Sequence, residues 1–340
     1  MGSFLSKLYF LVRGTPQGGI LSPLLFAICY NLVGSSLLGS KYKLFADDLV
    51  YYIFGFCLQT LIKEATAILE TLQRWCNTNS LEVNYAKTQF MVFSKKSSES
   101  SANVPIFQVG DNVIEYVASF KYLGVHLDSN LTFNPHYDHV LSKISSAIGC
   151  IQTIKRYLSV PLFSTIVNSF VYSVLDYCLP VYCTISETHK NVIQSKLESL
   201  LASYFYPTIC NRFRRFYNIH SNIRRRTIHI NYNSLFEKCN LLKFRERIEY
   251  FNCVSAFNFL YTPYTPKLSG VFVRGKSYRC LNSSVPIHDC EFYTKSAYYQ
   301  NIISWNQLNT QTKEMPSLYS FKLSLDSFLL SRRVCSRPMK

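Results

Sequence analysis

The stretch Lys43-Leu44-Phe45-Ala46-Asp47-Asp48-Leu49-Val50-Tyr51-Tyr52-Ile53-Phe54 decides the reading of this chain. Aromatic and β-branched residues stand on both sides of two adjacent carboxylates, which predicts two strands around a tight turn at Asp47-Asp48. Paired negative charges at the apex of an apolar hairpin are costly unless a cation or a basic partner neutralises them. Hard carboxylate oxygens suit Mg²⁺, which keeps water and takes one or two carboxylates plus substrate phosphates. Aspartate is also a preferred turn residue, so a solvated hairpin turn explains the pair as well on local sequence alone.

Working outward, Pro23 to Leu38 reads as a helix with Ser22 as its cap and proline at the first helical position. Downstream, Leu58, Leu61, Ile62, Ala65, Leu69, Leu72 and Cys76 recur at helical spacing and stop near Asn77-Thr78-Asn79. Short strands are expected at Leu81–Val83 and Phe90–Phe93. A hairpin is expected where Pro105–Val109 and Val113–Val117 flank Gly110-Asp111-Asn112. Tyr122–Leu127 reads as one further strand. After Asp128 the pattern turns helical, through Leu141–Ile154, Leu162–Leu175, His189–Tyr204, Arg245–Leu260 and an amphipathic run from Leu318 to Phe328. The expected class is α+β: an antiparallel sheet with helices over residues 1–128, a helical region over 129–205, and a basic, mostly helical region over 206–340.

The chain has 340 residues, 48% hydrophobic and 16% charged, so wholesale disorder is excluded. The most apolar stretch, Ile20 to Leu38, is interrupted by Ser22, Pro23, Asn31 and Gly34-Ser35-Ser36, which argues against a membrane span. No small-residue cleavage site follows the first apolar patch, so secretion is not expected and the twelve cysteines read as free thiols in a reducing compartment. Cys280, His288 and Cys290 lack a fourth ligand at zinc spacing. Residues 1–130 carry 10 basic and 9 acidic side chains, whereas residues 131–340 carry 26 and 11. That asymmetry points to a polyanionic partner for the second part. Arg212, Arg214 and Arg215 alternate with Phe213, Phe216 and Tyr217, and Arg224, Arg225 and Arg226 follow. Arginine beside aromatics suits single-stranded nucleic acid; a solvated basic face or an arginine-rich import signal is the plainer alternative.

Four motifs stand in order: Gly14-Thr15-Pro16-Gln17-Gly18-Gly19-Ile20-Leu21-Ser22-Pro23, Phe45-Ala46-Asp47-Asp48, Asn84-Tyr85-Ala86-Lys87-Thr88, and Tyr122-Leu123-Gly124. This order resembles the reverse transcriptase of non-long-terminal-repeat retrotransposons, most closely the jockey-like elements of arthropods. Ser304-Trp305-Asn306 and Ser320-Phe321-Lys322 also resemble the C-terminal segment of those proteins. The resemblance implies a palm, a thumb and a C-terminal region. It implies Asp47 as a principal metal ligand, Asp48 as a supporting acid, and Gln17, Gly18 and Gly19 as the loop against template and nucleotide. Lys87 would serve the leaving pyrophosphate, with a solvated surface lysine as its alternative. Tyr122, Leu123 and Gly124 would form the primer-grip hairpin between palm and thumb. The implied partners are an RNA template, a DNA primer and deoxynucleoside triphosphates. Two Mg²⁺ ions are the implied cofactor, and a nuclear or cytoplasmic ribonucleoprotein the implied setting.

The family supplies a further metal-binding Asp upstream of the Pro-Gln-Gly loop, yet the first acidic residue in this sequence is Asp47. The expectation is therefore a C-terminal portion of a polymerase, inactive alone. The rival expectation is a non-catalytic RNA-binding remnant or a domesticated protein.

Overall fold

The computed structural model describes residues 14–16, 18–37, 41–94, 105–207, 230–261 and 296–335. The chain divides into two compact units, residues 1–120 and 121–340.

In the first unit, α1 (Ser22–Asn31) and the short α2 (Val33–Ser36) lead into β1 (Lys41–Phe45) and β2 (Asp48–Tyr52). Ser22 is not the cap that the sequence suggests. It is the first helical residue, and its hydroxyl donates instead to the Pro16 carbonyl at 2.6 Å. No residue of α1 is buried, and Leu24, Leu25 and Ile28 are more than half exposed. The long helix α3 (Leu58–Thr78) is amphipathic, as its spacing predicts, and buries Ala65, Leu69, Leu72 and Cys76. This face joins Val33, Leu37, Phe107, Val109 and Ile114 in one core.

The strands do not make a single antiparallel sheet. β1 and β2 pair with each other alone. β3 (Gln89–Phe90), β4 (Phe107–Val109) and β5 (Asn112–Tyr116) form a separate sheet of order β3-β5-β4, in which β3 runs parallel to β5. The Gly110-Asp111 hairpin forms where expected, with Gly110 at φ 58°. Leu81–Val83 is not a strand; Leu81 and Val83 pack against the core without a ladder. Tyr122–Leu127 is not one strand either. β6 (Ser119–Tyr122) and β7 (Val125–Asp128) fold back on each other about Leu123-Gly124.

Among the described residues the second unit is helical from Asn134 on. It contains α4 (Asn134–Ile154), α5 (Val160–Val167), a π-helical turn at Asn168–Tyr172, α6 (Ser173–Asp176), α7 (Leu179–Tyr182) and α8 (Glu187–Phe205). Beyond them come α9 (Tyr232–Lys238), α10 (Phe244–Tyr261), α11 (Ala297–Asn306), α12 (Thr310–Lys313) and α13 (Leu318–Cys335). One core takes Tyr137, Ile144, Phe163, Leu175, Leu197, Leu235, Phe236 and Phe244. A second takes Phe257, Trp305, Phe321 and Leu325, with the Phe257 and Phe321 rings stacked at 4.5 Å. The two C-terminal motifs are thus packing devices. Trp305 and Phe321 are fully buried, and Ser317 and Ser320 cap α13 reciprocally, each backbone N–H donating to the other's hydroxyl at 3.2 Å. Among the described residues no helix is long and apolar enough to cross a membrane.

Candidate functional site

The β1–β2 register pairs Phe45 with Asp48, Leu44 with Leu49 and Tyr42 with Tyr51. Side chains alternate faces along a strand, so one face of the hairpin carries Tyr42, Leu44, Leu49 and Tyr51. These four pack against the core that includes α3, and the Tyr51 hydroxyl donates to the Ala65 carbonyl at 3.3 Å. Asp48 lies on the opposite face with Phe45, Lys43 and Lys41. Asp47 is in the turn itself, after Ala46 at φ 52°. A left-handed alanine is strained by roughly 1–2 kcal/mol, which the packed hairpin holds in place.

Both carboxylates are exposed, and among the described residues neither makes an ion pair. Tyr30 of α1 reaches the turn backbone: its hydroxyl donates to the Asp47 main-chain carbonyl at 3.4 Å. Its ring is placed by Phe26 at 5.4 Å and Trp75 at 6.1 Å. Burial raises the Tyr30 phenol above its ordinary range, and Cys76, Asp47 and Asp48 raise it further. The phenol therefore stays protonated as a neutral donor beside the acidic turn. Nothing in the sequence marks Tyr30, which lies 17 residues from Asp47 in an apolar helix.

The glycine loop has a conformational reason. The Gly19 N–H closes a turn on the Pro16 carbonyl at 3.2 Å, with Gly18 at φ 86°. A side chain at Gly18 would be strained there. A Cβ on Gly19 would stand 2.6 Å from the Ser22 hydroxyl oxygen. Gln17 lies outside the described residues. The Asn84–Thr88 motif is a compact turn: the Lys87 N–H donates to the Asn84 carboxamide oxygen at 3.2 Å, and the Thr88 hydroxyl to the Asn84 carbonyl at 2.8 Å. Asn84 and Thr88 thus build the turn that leaves the Lys87 ammonium exposed.

In the second unit, Leu123 (φ 45°) and Gly124 (φ 82°) form the β6–β7 turn. Tyr177 fixes it by donating to the Leu123 carbonyl at 2.6 Å. A Cβ on Gly124 would stand 3.0 Å from the Tyr177 ring, so glycine is required by both conformation and space. Arg212, Arg214, Arg215, Arg224, Arg225 and Arg226 lie outside the described residues, as do Cys280, His288 and Cys290.

Among the described residues no three His, Cys, Asp or Glu side chains converge to hold a metal. The two aspartates fit a hard cation that completes its shell with water and phosphate. They do not by themselves house two.

Residues 3–127 match the family model described as reverse transcriptase, RNA-dependent DNA polymerase. The matched residues include the glycine loop, the Asp47-Asp48 turn, the Asn84–Thr88 turn and the β6–β7 turn. The chain is similar to the RNA-directed DNA polymerase from mobile element jockey of Drosophila funebris, at 24% identity over 56% of this chain and 22% of that protein. It is 31% identical to a protein named as the RNA-directed DNA polymerase from transposon BS of Drosophila melanogaster, over 36% of this chain and 14% of that protein. It is 24% identical to a Pol polyprotein from type-1 retrotransposable element R1 of Bradysia coprophila, over 43% of this chain and 14% of that protein. The matched part thus spans between about a seventh and a quarter of these relatives. No solved structure gives a match.

Proposed function

We propose that this chain supplies the carboxylate turn, nucleotide loop and primer grip of an RNA-directed DNA polymerase of a non-LTR retrotransposon. The observation that carries this reading is the exposed Asp47-Asp48 pair, held at the end of a packed hairpin among the residues that match the reverse transcriptase family model. Asp47 and Asp48 hold Mg²⁺, which when bound activates the primer 3′ hydroxyl and stabilises the leaving pyrophosphate. Gln17, Gly18 and Gly19 lie against template and nucleotide. Lys87 faces the pyrophosphate, and Tyr122, Leu123 and Gly124 hold the primer end. Tyr30 positions the turn. In this assignment residues 1–128 are palm, 129–205 thumb, and 206–340 a basic region that carries the RNA through its arginine clusters.

A two-metal site needs another carboxylate from a facing strand. Among the described residues none joins Asp47 and Asp48. We therefore propose that the chain is inactive alone and gains activity with a companion palm-and-fingers segment. The second reading, a non-catalytic RNA-binding protein, is favoured by that same shortage of carboxylates and by the basic second part.

Primer extension on a homopolymer RNA template, in Mg²⁺ or Mn²⁺, separates the two. Supplementing the chain with the upstream segment of a jockey-like polymerase is expected to give incorporation that Asp47→Ala abolishes. RNA binding without incorporation under supplementation favours the non-catalytic reading. Robust incorporation by the unsupplemented chain contradicts the inactivity.

A further inference from the structure

Three histidines meet where α4 packs on β7. The His126 ring lies 4.9 Å from His139 and 6.3 Å from His136, centroid to centroid, and His136 and His139 are 6.5 Å apart. His136, His139 and Lys143 share one face of α4 at spacings of three and four residues. Lys121 on β6 and Lys143 both act on His126 and His139. His136 is buried; its Nδ1 accepts the His126 N–H at 3.4 Å, and its ring meets Tyr182 edge-on at 4.6 Å. The Nε2 atoms of His126 and His136 are buried with no hydrogen-bond partner among the described residues.

The cluster therefore gathers three imidazoles and two ammonium groups, and among the described residues none of the five makes an ion pair with a carboxylate. Of the nearest carboxylates by sequence, Asp128 is engaged by the loop that follows it, accepting from the Phe133 N–H at 2.7 Å and from Thr132 at 3.0 Å, and Asp138 is exposed on α4. A metal is not the answer, because no three ligands converge here. Basic groups gathered without a paired carboxylate favour an external anion, and a nucleic-acid backbone offers repeated phosphates to Lys121 and Lys143 alike.

We infer that Lys121, His126, His139 and Lys143 form a phosphate-binding patch for a nucleic-acid backbone beside the β6–β7 turn, and that its grip tightens when the histidines are protonated. This rests on the nucleic-acid partner proposed above. Lys121, His139 and Lys143 make the contact, while the more enclosed His126 adds charge behind them. Burial first, then the neighbouring cations, holds His126 and His139 below the ordinary histidine range. A bound phosphate offsets the repulsion, so binding takes up protons and strengthens as pH falls from 7.5 toward 5.5. Each histidine whose pKa rises by one on binding adds up to about tenfold in affinity.

The test is binding of a fluorescent single-stranded RNA to the full chain from pH 7.5 to 5.5, paired with calorimetry at pH 6.5 in two buffers of different ionisation enthalpy. Proton uptake and about a tenfold gain in affinity are expected, both largely lost in the His126→Gln/His139→Gln variant. The chain has seven histidines, so the variant is what assigns the uptake. Lys143→Gln, a surface change, is expected to reduce the salt slope by about 0.7. An unchanged pH response in the double variant, or an unchanged slope in Lys143→Gln, overturns the patch. Failure to bind RNA at any pH overturns the nucleic-acid reading itself.

Discussion

His136 shows how one side chain sets a pH limit on the fold. It is 2% exposed, and burial, aided by His126, His139 and Lys143, lowers its pKa to about 4. The unfolded chain binds that proton near 6.5. The folded state therefore keeps its full stability above 6.5 and loses it as pH falls toward 4, the loss reaching about 3 kcal/mol. Urea midpoints measured from pH 7 to 4.5 are expected to fall, and to fall less in His136→Gln. Parallel profiles for parent and variant would contradict this. Neither His136 nor Tyr177 was legible in the sequence. A lone histidine or tyrosine carries no period and no turn chemistry, and its partner lies on another element. Gly124 was legible as part of a motif, but its reason, the Tyr177 ring, required three dimensions.

At the scale of elements, the strongest periodic signals translated most directly. α3 covers Leu58–Thr78 because seven apolar residues keep one face through five turns. The β1–β2 hairpin was legible because strand formers flank a polar turn. The β6–β7 hairpin was legible only through the Tyr122-Leu123-Gly124 motif, because Leu123, not glycine or asparagine, takes the first left-handed position and lets Tyr122–Leu127 read locally as one strand. Likewise, the run Leu162–Leu175 hides a π-helical turn, which turns Val171 and Tyr172 inward together. Beyond that turn, Asp176 on α6 receives Arg247 of α10 in a bidentate pair, and the guanidinium also lies 4.2 Å over the Tyr172 ring. Burial raises the Asp176 carboxyl and Arg247 opposes that. Asp176→Ala leaves a largely enclosed guanidinium without its bidentate partner. It is expected to lower unfolding stability by about 3–5 kcal/mol in denaturant titration. A loss below 1 kcal/mol would show that water reaches the pair.

For the whole molecule, charge is the property that the sequence reports best, because it needs no fold to be counted. The excess of basic residues lies after residue 130. If that part carries RNA through six or more phosphate contacts, affinity is expected to drop by ~10³-fold or more between 50 and 200 mM salt. Filter binding across that range checks it; a flat response would remove the electrostatic basis. The way strands distribute over separate sheets was not legible, since β3 meets β5 across a gap of more than twenty residues.

Leu235, Phe236 and Phe244 belong to the same hydrophobic interior as Phe163 and Leu197, on the other side of residues 208–229. Residues before 208 and residues after 229 thus complete one core while joined through one continuous chain. A protease cut there would convert a first-order folding equilibrium into a second-order one. The intact chain has a stability independent of its dilution, whereas the nicked chain would have one that falls as its concentration falls.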